Sequence, residues 1–144
     1  MKHARLTHRF VDDMPEQLEA GFLYVSVRYA TAMHLCACGC GREVVTPLSP
    51  AQWKMTFDGE TVSLSPSIGS WALPCRSHYL ITRDKVIEAA AWSEDEVAQG
   101  QARDRRKRTE HYTGTSAPLP AAPVRRPKKV GWFDQVKSLF GSRR

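Results

Sequence analysis

Four cysteines constrain this chain more than any other feature. Cys36, Cys38 and Cys40 stand in the segment CACGCG, and Cys75 follows in CRSH, three positions before His78. Alternate positions bring three thiols onto one face, which is hard to pack as ordinary core. Gly39 and Gly41 let the backbone curl so that the sulfurs converge. A metal centre explains the pattern better than buried free thiols or a disulfide pair. Zinc takes four soft ligands in a tetrahedron. Three thiolates of the first turn with Cys75 close such a site, and so do two of them with Cys75 and His78. His34, on the same parity as the three cysteines, is a further candidate ligand. A site closed by four protein ligands is structural, with no open position for a reacting water.

The 144 residues allow one domain, or a small domain with a tail. No run of 18 apolar residues is present, and the opening MKHARLTHRF lacks the apolar stretch of a secretory signal. The expected location is the cytoplasm, where thiols stay reduced and clustered cysteines more often bind metal than pair. The net charge of +6 is unevenly spread: 9 Lys and Arg balance 9 Asp and Glu over 1–92, while 12 face 6 over 93–144. The cysteines and the excess charge thus belong to different parts of the chain.

Composition predicts a mainly β fold: a small antiparallel β domain over 1–92, stapled by zinc. A charged helix or linker over 93–112, a Pro-rich basic linker over 113–129 and an amphipathic segment over 130–144 follow. The polar stretch 1–10 is expected to pair weakly or fray, and 15–21 to form a turn. Residues 22–30, FLYVSVRYA, read as a strand, as do 43–48, 53–57, 61–64 and 78–82, while 31–36 continue as extended chain or begin a second strand. Asp58-Gly59 is a strong two-residue hairpin signal. Residues 65–73, SPSIGSWAL, read as a loop, and 84–92 as strand or short helix. Ser93 as N-cap with Glu96 at N3 predicts a capping box that opens an exposed helix over 93–110. About 90 residues give a modest core that a metal would help considerably.

A second constellation lies between the two halves of the cysteine set. Ser67, between Pro66 and Ile68-Gly69, suits a nucleophile with nearby amide donors for an oxyanion. Its base would be His78 or His34, each flanking a cysteine turn; Ser77 is a rival nucleophile. Asp58, Glu60 and Asp84 are the candidate orienting carboxylates, and spacing selects none of them.

HLCACGCG, then a Trp-containing hairpin, then SLSPSIG, then CRSHY, in that order, resembles the BubE family of bacterial ubiquitination-like (Bub) operons, over about residues 20–92. The resemblance implies a zinc-containing, deubiquitinase-like serine protease. Such an enzyme would cleave after the C-terminus of a bacterial ubiquitin-like protein, to mature it or to remove it from conjugates. The ubiquitin-like protein, its conjugates and the cognate conjugation enzymes are the implied partners. The carry-over gives Ser67 as nucleophile, His78 or His34 as base, and Cys36, Cys38, Cys40 and Cys75 as zinc thiolates. Trp53 and Trp71 are candidate walls of a groove for a small-residue tail.

Two other readings compete. A zinc ribbon without enzymatic activity would use the basic clusters at 103–108 and 125–129 on nucleic acid or a protein partner; the neutral first 92 residues weigh against it. A metallohydrolase would need an open metal site with three protein ligands. The end, VGWFDQVKSLFGSRR, places Trp132, Phe133, Val136, Leu139 and Phe140 on one helical face. It is expected to dock on a partner groove or an anionic membrane.

Overall fold

Two four-stranded sheets, built from consecutive strands, divide the first 88 residues between them. The computed structural model describes residues 1–114. One sheet runs in the order β1 (Thr7–Phe10), β2 (Phe22–Ser26), β3 (Thr31–Leu35), β4 (Glu43–Pro47). The other runs β5 (Lys54–Phe57), β6 (Val62–Gly69), β7 (His78–Thr82), β8 (Lys85–Glu88), and α1 (Glu94–Gly114) follows. Every pairing is antiparallel except β1 with β2, so the predicted mainly β, mainly antiparallel class is what the chain adopts. Most of 113–129 and all of 130–144 lie outside the described residues. Among those described, no helix is long and apolar enough to cross a membrane.

Strand periodicity sends alternate residues inward. Ala32 and His34 on β3 and Val44 and Thr46 on β4 are buried while their neighbours are not. Leu23, Val25, Ala32 and Val44 from the first sheet share one core cluster with Val62, Leu64, Ile68, Tyr79 and Ile81 from the second. Trp53, an expected groove wall, packs against this cluster instead.

The N-terminal stretch does not fray. Leu6 is fully buried, β1 pairs with β2, and Arg5 bridges Lys85 of the other sheet. A single carboxylate explains why. Asp84, 1% exposed, accepts from Val62 N–H at 2.8 Å and lies 2.9 Å from His8 Nδ1 and 3.3 Å from Arg5 Nη2. Its main chain accepts from Leu6 N–H at 2.9 Å. One buried carboxylate thus joins the N-terminal segment to the β7–β8 turn and to the start of β6. Truncating it strands the buried Val62 N–H and unties His8 and Arg5, so Asp84→Ala is expected to cost about 3 kcal/mol. Urea unfolding of the two proteins measures this; a change under about 0.5 kcal/mol, the scale of an ordinary surface substitution, would remove Asp84 from this role.

Three local expectations change. The Asp58-Gly59 connection is not a two-residue loop: Phe57 pairs with Val62, so four residues intervene and only Gly59 takes positive φ. Asp58 instead caps the loop, accepting from Glu60 N–H at 2.9 Å and from Thr61 N–H and Oγ1–H, which hold its carboxyl down at about 2. Residues 22–30 are strand only to Ser26, because Ala30 turns at φ 47°. The segment expected as a loop from Ser65 is strand through Gly69, interrupted by a bulge. The capping box at Ser93 forms: Glu96 N–H donates to Ser93 Oγ at 3.3 Å, and Glu96 Oε2 accepts from Ser93 N–H at 2.8 Å.

Candidate active site and metal cluster

The bulge in β6 sets the serine. Leu64 pairs with Ile81 and Ile68 with Tyr79, so Ser65, Pro66 and Ser67 together face Leu80 alone. Pro66 has no N–H to give to a ladder, and bulges are where a strand accommodates that. Bulges also re-aim side chains. Here Ser67 Oγ comes to 2.9 Å from His78 Nε2 on the adjacent strand β7.

The other imidazole nitrogen is also held. His78 Nδ1 donates to the main-chain carbonyl of Ala90 at 2.6 Å. A carbonyl only accepts, so this bond places the proton on Nδ1 and leaves the Nε2 lone pair for the Ser67 hydroxyl. None of the three candidate carboxylates takes that place. Asp58 is committed to its loop and Asp84 to the N-terminal clamp, and Glu60 is exposed. His78 is buried among aromatic rings: Trp71 centroid to centroid at 5.1 Å and Trp92 at 5.0 Å, the two indoles stacked on each other at 5.4 Å. Gly69 makes room for this, since a Cβ there would collide with the Trp71 indole.

His34 is not brought to Ser67. It is fully buried on β3, where Nε2 lies 2.7 Å from the Tyr79 hydroxyl. Burial pulls it down to about 4, so it is a neutral core histidine at pH 7. Ser77, the rival nucleophile, faces the cysteines: its Oγ is 3.0 Å from Cys36 Sγ and 3.2 Å from Cys75 Sγ.

The four thiols converge. Cys36 Sγ is 3.4 Å from Cys38 Sγ and 3.9 Å from Cys75 Sγ, and Cys40 Sγ is 3.7 Å from Cys75 Sγ. All four sulfurs lie within 4.8 Å of one another. A disulfide needs ~2.05 Å, so no pair is bonded. A tetrahedron with ~2.3 Å metal–sulfur bonds has edges of about 3.8 Å, and the observed separations bracket that value. The four cysteines can therefore hold one metal ion together, and His78, with both nitrogens engaged elsewhere, is not among the ligands. Positive φ at Gly39 (88°) and Gly41 (76°) gives the CACGCG turn its curl. Burial pushes the Cys36 thiol up. Burial acts in the same sense on Cys75, but hydrogen bonds from Ser77, Cys40 and Cys38 outweigh it and bring that thiol down to about 6.

Sequence reasoning missed two parts of the site. The Ala90 carbonyl is a main-chain group with no residue signature, and Trp92 closed an ambiguous VIEAAAW run. Two indoles on either side of a CRSH segment were the available hint.

A model of the family described as bacterial ubiquitination-like system serine protease (BubE) matches residues 10–89, more than half of the chain. Neither the curated proteins nor the solved structures contain a match.

Proposed function

Because this chain belongs to the BubE family of serine proteases of bacterial ubiquitination-like systems, we propose that it hydrolyses the bond that follows the C-terminus of a bacterial ubiquitin-like protein, with Ser67 as nucleophile and His78 as base. The observation that carries this reading is the 2.9 Å contact of Ser67 Oγ with His78 Nε2, while Nδ1 is anchored on Ala90. Nε2 takes the hydroxyl proton as Ser67 Oγ attacks the carbonyl carbon, and the imidazolium returns that proton to the leaving group. Water then attacks the acyl-enzyme, and the same histidine accepts its proton. Main-chain amides near Ser67 and Gly69 are the oxyanion donors that this reading expects.

Zinc is the metal of this reading, held by Cys36, Cys38, Cys40 and Cys75 as a structural ion. It supplies rigidity. Ser77 touches the thiols and is adjacent in sequence to His78, so the cluster fixes the entry to β7 and with it the base. Four thiols leave no ligand position for a reacting water, which disfavours the metallohydrolase reading. A binding module has no evident use for the part-buried serine–histidine contact.

The substrate tail has an edge to join. The β5 ladder runs from Phe57 opposite Val62 to Lys54 opposite Ser65, so β6 extends past the end of β5 by the four residues that include Ser67. An extended tail that adds there as a strand passes its terminal carbonyl across Ser67. The test is a fusion of the bacterium's own ubiquitin-like protein to a C-terminal reporter. Release of the reporter at the junction, identified by mass, supports the reading. An intact fusion, together with intact isopeptide and ester conjugates, rejects it. Gly69→Ala, which drives a Cβ into Trp71, is expected to slow this cleavage by about tenfold or more. Wild-type rates would detach the indole from the site.

A further inference from the structure

The segment between β8 and α1 is built almost without side chains, yet it touches the base twice. Ala89 N–H donates to the His78 carbonyl at 2.9 Å, and the Ala90 carbonyl accepts from His78 Nδ1 at 2.6 Å. Ala90 and Ala91 are exposed and have no side chain with which to anchor the carbonyl. The next residue supplies the anchor. The Trp92 indole meets the imidazole edge to face and stacks on Trp71 with an interplanar angle of 17°. From the other side Trp92 rests on α1 at Gly100, where a Cβ would stand 2.7 Å from the indole. Gly100 and Val97 are the buried positions of α1. Arg76, two residues before His78, pairs with Glu94 in the first turn of the same helix at 2.7 Å.

We propose that 89–92, seated by Trp92 on Gly100 of α1, is the positioning device for the His78 imidazole, and that the first two turns of α1 are part of the catalytic unit. This rests on the reading of Ser67 and His78 as nucleophile and base. In a triad a carboxylate side chain fixes the histidine tautomer. Here a main-chain carbonyl does so, and a main-chain group is placed only by what holds the backbone on either side. The Ala89 ladder bond holds one side and the Trp92 indole the other. Residues 90–100 lie beyond the matched span 10–89, so this support is a property read from this chain alone.

Trp92 is a positioning residue, and its removal should change turnover rather than binding. For the full chain, Trp92→Ala is expected to lower kcat on the fusion substrate by about 10- to 100-fold, with KM unchanged within about twofold. The downfield proton resonance of His78 Nδ1–H should be lost with it. Trp92→Phe, which keeps a ring on Gly100, should recover most of the rate and the resonance. Where Trp92→Ala fails to fold, Gly100→Ala, which moves the indole without deleting it, decides the matter by the same readouts. Wild-type kcat and an intact resonance in these variants would overturn the proposal while leaving the dyad standing. A Trp92→Phe enzyme as slow as Trp92→Ala, with a matching loss of thermal stability, would reduce Trp92 to a structural role. A fully active His78→Ala enzyme would overturn the dyad itself and the proposal with it.

Discussion

Ser67→Ala is expected to lower kcat by roughly 10⁴ to 10⁶, the scale on which a serine hydrolase depends on its nucleophile, with little change in fold. The side chain is half-buried and, among the described residues, its hydroxyl bonds only to His78 Nε2, so its removal leaves no buried donor stranded inside the core. His78→Ala should be similarly inactive. The two losses should not add, because either residue alone is without its partner. Ser77→Ala provides the contrast. That hydroxyl faces Cys36 and Cys75, so its loss should weaken the metal cluster and leave turnover largely intact when metal is saturating. Initial rates on the fusion substrate, measured alongside melting curves, separate the three. A Ser67→Ala enzyme within tenfold of wild type would contradict the account.

Removing the proposed metal is expected to have the second large effect. Structural zinc in small domains contributes ~10–16 kcal/mol of apparent binding free energy, whereas whole domains are stable by only ~5–15 kcal/mol. The described strands share one small core, and the cluster joins the β3–β4 turn to the entry of β7 in the other sheet. The protein as purified should contain one zinc per chain. Chelation, or Cys75→Ser, should abolish the cooperative unfolding transition and activity together. Refilling with cobalt or cadmium should restore both, because an ion closed by four thiolates would hold structure and leave no coordination site for reacting water. Full activity in the metal-free protein would contradict the structural role. Recovery with zinc but not cadmium would favour a reacting metal.

The cysteine cluster and the strand content were legible because each rests on short-range chemistry. Three thiols in five residues with glycines between them admit few arrangements, and runs such as FLYVS and HYLIT carry the β-branched and aromatic residues of strands. The serine was legible by composition of its segment but not by conformation. Pro66 in SPSIG signals a loop, and only pairing with β7 shows that the chain stays a strand and bulges instead. Long-range partners were the part out of reach. Asp84 reads as a candidate orienting acid, and its true role depends on His8 and Arg5, more than 70 positions away. His34 and His78 both flank cysteines, and burial against Tyr79 is what makes one of them a core residue. The Ala90 carbonyl that holds the His78 ring has no sequence signature at all.

The central claim is that the hydroxyl of Ser67, activated by His78, forms the acyl-enzyme. A fluorophosphonate probe reacts with such a hydroxyl and not with ordinary serines. Incubating the zinc-loaded protein with the probe and mapping the adduct by peptide mass spectrometry tests the claim directly. The account predicts one adduct, on Ser67, kept in Ser77→Ala and lost in both Ser67→Ala and His78→Ala. An adduct on Ser77, or no adduct on a protein that cleaves the fusion, would contradict it.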